Sequence, residues 1–413
     1  MNADNKKILK NIFFINLFIL INYIFYILNF SLFLKLNTLI IFFLFSYLIF
    51  FNLNKDNIFL GIFFILFSII LLGSATQDHD ARSIWLFHAK RIFFDNNIYS
   101  QLDNYADFSQ NDYNPFVASL SASIVHLIKG WNEVFPKFAN LILASCPIFF
   151  LQLFLKNKLQ KILFVFFILF IFEKRLINGE MDALLSLYYT SIVILFFLLL
   201  REKNFFIFGL SILFFASFLL IKSESFFLFL FTFFIYTIFL FFYNKNNKNF
   251  FNLLMIILFS FIPFLHWKYL VFKNNISNWY LQGFNLLHIK SKIFDFKEYL
   301  NIFSELVLVK SMFIALILFF IVMYNFFLKY NKFFNSKIII FNNDFDKLFF
   351  INSLVCFLYF IFLFFIFLFS NIDLNINEFL EAGSFRYTNP ISFSLCYFST
   401  LVLFNREKKL YFK

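Results

Sequence analysis

Two carboxylates stand two positions apart at Asp78 and Asp80, in a stretch of residues 76–95 that reads TQDHDARSIWLFHAKRIFFD and also carries Arg82, His88 and Lys90. A carboxylate can take the proton of a hydroxyl and a cation can hold an anion, so this mixture of acids, bases and histidines is where chemistry would start. Charges beside hydrocarbon are costly unless they are solvated, paired or used on a substrate. Three more mixed clusters follow: Glu173 to Asp182 (EKRLINGEMD), Lys222 to Glu224 (KSE) and Glu378 to Arg386 (EFLEAGSFR). The five histidines show no zinc-type spacing. The three cysteines, Cys146, Cys356 and Cys396, all fall in apolar runs and imply no disulfide framework.

The elements that must position these residues are membrane helices. Of 413 residues, 62% are hydrophobic and only 14% charged, with a mean hydropathy of +0.81. An ordinary soluble domain carries about 25% charge, so the composition points to an all-α polytopic membrane protein. About twelve apolar runs are expected to be transmembrane helices, near 9–30, 38–53, 57–74, 138–155, 161–173, 181–200, 204–221, 224–243, 250–266, 311–328, 349–370 and 387–404. The run at 161–173 is the shortest. The 81 Phe residues read as lipid-facing bulk, which accepts Phe as readily as Leu. The whole chain, 1–413, is expected to be one transmembrane domain, with a first large loop at 75–137 and a second long segment at 267–310.

Charge sets the orientation. With the N-terminus cytoplasmic, the segments 1–8, 54–56, 156–161, 201–203, 244–249, 329–348 and 405–413 are internal, and together they are strongly basic. The positive-inside rule then places both termini in the cytoplasm and all four charged clusters on the other face. The net charge of +12 follows topology and gives no nucleic-acid footprint.

Within the first loop, Ala81, Ile84, Trp85, His88 and Ile92 share one helical face, which predicts an amphipathic helix on the membrane surface with Trp85 in the headgroup zone. After Asp112 and Tyr113, Asn114 can cap a second short helix that begins at Pro115 and stops at Gly130. Its Ala118, Ser119, Ser121, Ala122 and Ser123 allow close helix packing.

This loop resembles that of the GT-C superfamily of polyprenyl-phosphate-sugar-dependent glycosyltransferases, nearest the bacterial relatives of the protein mannosyltransferase and aminoarabinose transferase group. One branch reads approximately W-D-A-x-x-x-W-x-x-K-A-K and then D-Y-P. The chain matches at Asp80-Ala81, Trp85, Ala89-Lys90 and Asp112-Tyr113, and departs with His79 for the Trp, His88 for the first Lys and Asn114 before Pro115. Gly179 and Asp182, Lys222 with Glu224, and Arg386 before the last span are also similar, so the likeness runs loosely from about 70 to 400.

The resemblance implies a GT-C-like fold and transfer of a sugar from a polyprenyl-phosphate donor to a lipid-linked glycan, lipopolysaccharide or protein, at the outer face of a bacterial inner membrane. Asp80 is the expected base, with Asp78 second. Lys90, Lys222, Arg386 and Arg82 are the expected phosphate ligands. His88, Trp85, Asp112, Tyr113, Glu180, Asp182 and Glu224 are expected at the substrates. The nearest branches imply a reaction without a cofactor, although Asp78 and Asp80 could hold a divalent metal. Simpler roles compete: Asp80 could cap a helix, Lys222 could snorkel or pair with Glu224, and Lys90 could meet a lipid headgroup. Two other classes stay open. A transporter or flippase would lead one to expect helices unwound by Gly and Pro, yet the chain has only 7 Gly and 5 Pro. A polysaccharide polymerase or ligase would use the segment 267–310.

Overall fold

In a computed structural model, residues 3–51, 58–76, 78–98, 109–201, 204–243, 247–276, 296–330, 343–369 and 386–404 are described. All of their regular structure is helical. The N-terminal part comprises α1 (Ala3–Ile27), α2 (Ser31–Phe51), α3 (Ile58–Gly73), a π-helix (Ala81–Trp85), α4 (Leu86–Asp95) and α5 (Phe116–Ile128). Then come α6 (Phe138–Gln152), α7 (Lys158–Phe172), the single turn α8 (Arg175–Asn178), α9 (Asp182–Arg201), α10 (Phe205–Ile221), α11 (Ser225–Tyr243) and α12 (Asn247–Lys273). The last four are α13 (Phe296–Val307), α14 (Lys310–Tyr330), α15 (Asp344–Phe369) and α16 (Asn389–Phe404).

Each of the twelve apolar runs is therefore helical. Seven of these helices are long and apolar enough to cross a membrane, as in a polytopic membrane protein: α1, α2, the helix ending at Gln152, α9, α12, α14 and α15. The apolar parts of α3, α10, α11 and α16 are shorter, as is α5.

Two helices form the axis of the bundle. The α9 helix is buried along nearly its whole length and packs on α6, α10, α11 and α16, while α16 is buried from Asn389 to Leu401 and packs on α7, α9, α14 and α15. By contrast α12 and α14 turn Leu258, Ile262, Leu265, Phe320 and Phe327 outward. Large exposed apolar faces on long apolar helices suit lipid contact and would be a liability in water.

Inside the bundle, polar side chains hydrogen-bond across helices. The Tyr188 hydroxyl donates to Asn16 Oδ1 at 2.9 Å, and the Tyr189 hydroxyl to Asn352 Oδ1 at 3.0 Å. Asn22 Nδ2 donates to Ser123 Oγ at 2.9 Å, which ties α1 to α5 through one of the small residues expected to allow close packing. All these groups are neutral.

Three expectations need correction. The face carrying Ala81, Ile84, Trp85, His88 and Ile92 is amphipathic as read, but it is buried in protein instead of lying at headgroups, because α4 packs on α5 and Trp85 stacks on Tyr113 with 5.3 Å between ring centroids. The stop of α5 falls one residue early, with Lys129 and not Gly130 in the left-handed conformation at φ 62°. Asn114 does supply the start, its Oδ1 accepting from Phe116 N–H at 2.8 Å. Finally, α12 runs through Trp267 to Lys273, so the second long segment begins about two turns later than read, and part of it is the helix α13. Residues 99–108 of the first loop and the Glu378–Phe385 part of the last cluster lie outside the described residues.

Candidate functional site

The charged clusters meet at one end of the bundle. Asp182 is the first residue of α9, where the helix N-terminus favours a carboxylate. Lys222 follows the end of α10, Glu224 precedes α11, Asp78 and Asp80 follow α3, and Arg386 precedes α16. Four segments that are distant in sequence thus deliver their charges to a common point.

Asp182 is the hub. Lys222 Nζ donates to its Oδ1 at 2.9 Å and Arg386 Nε to its Oδ2 at 2.9 Å. Lys222 also pairs with Glu224 at 3.2 Å and stands 4.7 Å from the centroid of the Tyr387 ring. Arg386 reaches outward as well, its Nη2 donating to Asp80 Oδ2 at 2.6 Å. Asp80 makes no capping hydrogen bond with its side chain, so its carboxylate is committed to Arg386 and not to the helix it introduces. Beside it, Asp78 accepts a hydrogen bond from Asn178 and pairs with Lys174 at 3.5 Å. Glu180 accepts from Arg175 Nε at 2.9 Å.

Burial divides this chain of pairs. The side chains of Asp182 and Lys222 are 2% and 3% exposed, whereas those of Asp80 and Asp78 are 28% and 26% exposed. Burial, and then the negative field of Asp182, pushes the Glu180 carboxyl up to about 7, against the pull of Arg386 and Arg175. The two carboxylates beside Arg386 more than offset the burial of its guanidinium and raise its pKa further, so the cation is permanent.

The backbone is built for this approach. Gly179 adopts φ +98° between α8 and α9, and a Cβ there would lie 3.4 Å from Ala81 Cβ. That is an ordinary contact, so the positive φ, and not a lack of room, is what calls for glycine in the turn before Asp182. Lys137 stiffens the neighbouring corner by donating from Nζ to Ser74 O at 2.7 Å.

Not every expected residue joins the network. Lys90 is exposed and takes part in no ion pair among the described residues, and Arg82 is also exposed, its guanidinium 4.0 Å from the Glu133 carboxylate. His88, Trp85, Asp112 and Tyr113 instead form the packed floor of the first loop. His88 Nε2 lies 2.9 Å from Ser109 O, and burial, reinforced by Arg91, lowers its pKa to about 4. Trp267 Nε1 donates to Asp112 O at 2.9 Å, and Lys268 lies 3.9 Å from the Asp112 carboxylate. Burial raises the Asp112 carboxyl, opposed by Lys268.

Sequence reading missed Asn178, Tyr387 and the Trp267–Lys268 contact. Tyr387 follows Arg386 directly, and a basic residue beside an aromatic at a helix mouth was the available signal. Nothing local to Asn178 or Trp267 marks either one. Among the described residues, no group of three or more His, Cys, Asp or Glu side chains is placed to hold a metal ion. Set against known proteins, the chain matches no family model, no curated protein and no solved structure.

Proposed function

We propose that this chain is a membrane glycosyltransferase of the GT-C kind, which moves a sugar from a polyprenyl-phosphate donor to a lipid-linked glycan, lipopolysaccharide or protein at the extracytoplasmic face of a bacterial inner membrane. One observation carries the reading: Asp80, Asp182, Lys222 and Arg386, from four separate segments, share one continuous set of contacts at one end of the bundle. Active groups must converge in this way on a single substrate, whereas surface charges at unrelated helix ends need not. The positive-inside pattern supports putting that end outside, with all twelve apolar helices in the membrane and both chain termini in the cytoplasm.

In the reaction, the carboxylate of Asp80 takes the proton of the acceptor hydroxyl. The acceptor oxygen bonds to the anomeric carbon as the bond from that carbon to the phosphate oxygen breaks, and the electron pair of that bond leaves with the phosphate. Arg386 and Lys222 face the growing negative charge, and Glu180, Asp182 and Glu224 order the cations and the sugar hydroxyls. No metal takes part in this scheme.

Asn is nearly isosteric with Asp but takes no proton at neutral pH. Asp80→Asn should leave membrane insertion intact and lower glycosyl transfer by about two to four orders of magnitude. Near-full transfer in this variant, measured with a radiolabelled polyprenyl-phosphate sugar, would sink the mechanism. Full loss in Asp78→Asn instead would move the base two residues upstream.

A further inference from the structure

Among the described residues, the ion-pair chain has no spare positive charge. Asp78, Asp80, Glu180, Asp182 and Glu224 face Lys174, Arg175, Lys222 and Arg386, five carboxylates to four cations, and each of those cations already touches a carboxylate. An arriving phosphate therefore has to displace one of them. The contacts differ in how easily they can yield. Asp182 is held on both oxygens, by Lys222 and by Arg386, in a place shut off from water, so pulling it away would break two contacts at once and leave the buried Lys222 with Glu224. Asp80 holds only the outward Nη2 of Arg386, apart from a loose approach of His79 at 3.8 Å, and more than a quarter of its side chain meets solvent. Water can replace what Asp80 gives up.

Arg386 is thus anchored through Nε and exchangeable through Nη2. We propose that Asp80 occupies, in the resting site, the place on Arg386 that a phosphate anion takes, so that phosphate binding releases the Asp80 carboxylate while Asp182 keeps Arg386 and Lys222 in position. Asp182 is a positioning residue in this scheme. Asp80 is an internal competitor for the phosphate, freed for proton transfer only when a phosphate has arrived; a fork-shaped guanidinium suits such a swap because carboxylate and phosphate fit it equally well. The choice of a lipid phosphate as the displacing anion rests on the glycosyltransferase reading, but the exchange itself does not.

Competition of this kind predicts a sign that a structural role would not produce. If the closed pair holds about nine-tenths of the molecules, removing it should tighten phosphate binding about tenfold, equivalent to about 1.4 kcal/mol. The test is equilibrium binding to the full-length protein in nanodiscs of neutral phosphatidylcholine, with three probes: a polyprenyl monophosphate, phosphatidylglycerol at the same density, and inorganic phosphate. Asp80→Asn should bind at least one of them about tenfold more tightly than the wild type, and Asp182→Asn should bind the same probe more weakly. The responding probe identifies the source of the phosphate. Asp80→Ser repeats the measurement if the Asn variant does not fold. Unchanged or weaker binding of all three probes in a folded Asp80 variant would overturn the proposal. Tighter binding without any sugar transfer in the wild type would leave the exchange standing and remove only the enzymatic reading.

Discussion

The inner and outer halves of the ion-pair chain are made of the same residue types and differ in what surrounds them. Inside, Asp182 and Lys222 are closed off from water and every charge has an assigned partner. Outside, Asp78, Asp80 and Lys174 are partly solvated, with Lys174 59% exposed. Arg386 spans both environments. Identical chemistry therefore suits two roles: the closed half fixes geometry because no water can take the place of a lost partner, and the open half can trade partners because water lowers the cost of parting.

The contrast breaks most directly through stability. Asp182→Ala would take away one of the two carboxylates on the buried Lys222 and the inner partner of Arg386, and should cost about 3–5 kcal/mol, while Lys174→Ala should cost under about 1 kcal/mol. Denaturant unfolding of the two variants in the same detergent measures both. Equal losses would mean that the two halves are not energetically distinct.

Glu180 sharpens the comparison through pH. Its carboxyl is ordinarily at 4.5 and lies at about 7 in the folded protein. Stability from this group is present below about pH 4.5 and lost as pH rises through about 7, by a few kcal/mol at most. His88 works in the opposite direction: lowered from 6.5 to about 4, it contributes stability above about pH 6.5 that is lost as pH falls toward 4. The two slopes largely cancel in the wild type. Glu180→Gln should uncover the His88 slope, so that its thermal midpoint relative to the wild type rises between pH 5 and pH 8. A flat difference would show that Glu180 carries its charge throughout.

The smallest effect is expected where the network ends. Lys90→Ala should change transfer by less than about twofold, against a loss of at least about tenfold for Arg386→Ala, because a solvated cation outside the pairs is strongly screened. Arg386→Lys should recover only part, since a point charge cannot reach Asp182 and a second anion as a planar fork does. A large loss at Lys90 in a transfer assay would extend the site toward α4.

Much of this was legible in the chain. Hydropathy located a helix at each of the twelve apolar runs, seven of them long and apolar enough to cross a membrane, since a long run of Phe, Leu and Ile has few other fates. The charge pattern brought Asp80, Asp182, Lys222 and Arg386 to one face, because helices that alternate in direction return every second connection to the same side. Partner choice was beyond it. That Arg386 bridges Asp80 and Asp182, while Lys90 does not join them, depends on helix rotation and on how closely the Gly179 turn approaches Ala81, neither of which a hydropathy pattern specifies. Trp85 was misplaced for a related reason: an apolar face is equally suited to lipid and to a neighbouring helix, and only the packing of α5 decides between them.

The π-helix at Ala81–Trp85 has a consequence of its own. Leu86 N–H bonds to Ala81 O, five residues back, so this turn holds one residue more than an α-helical turn would. The extra residue acts as a phase shifter between two tasks that one helix must perform, presenting Asp80 to Arg386 at its start and seating Trp85 on Tyr113 one turn later. Removing a single residue here, Ser83 for instance, would restore ordinary helical winding while turning the acid motif away from the guanidinium by roughly a quarter of a revolution, if Trp85 keeps its seat. A one-codon deletion could then yield a chain that inserts and packs normally, yet cannot aim its own carboxylate.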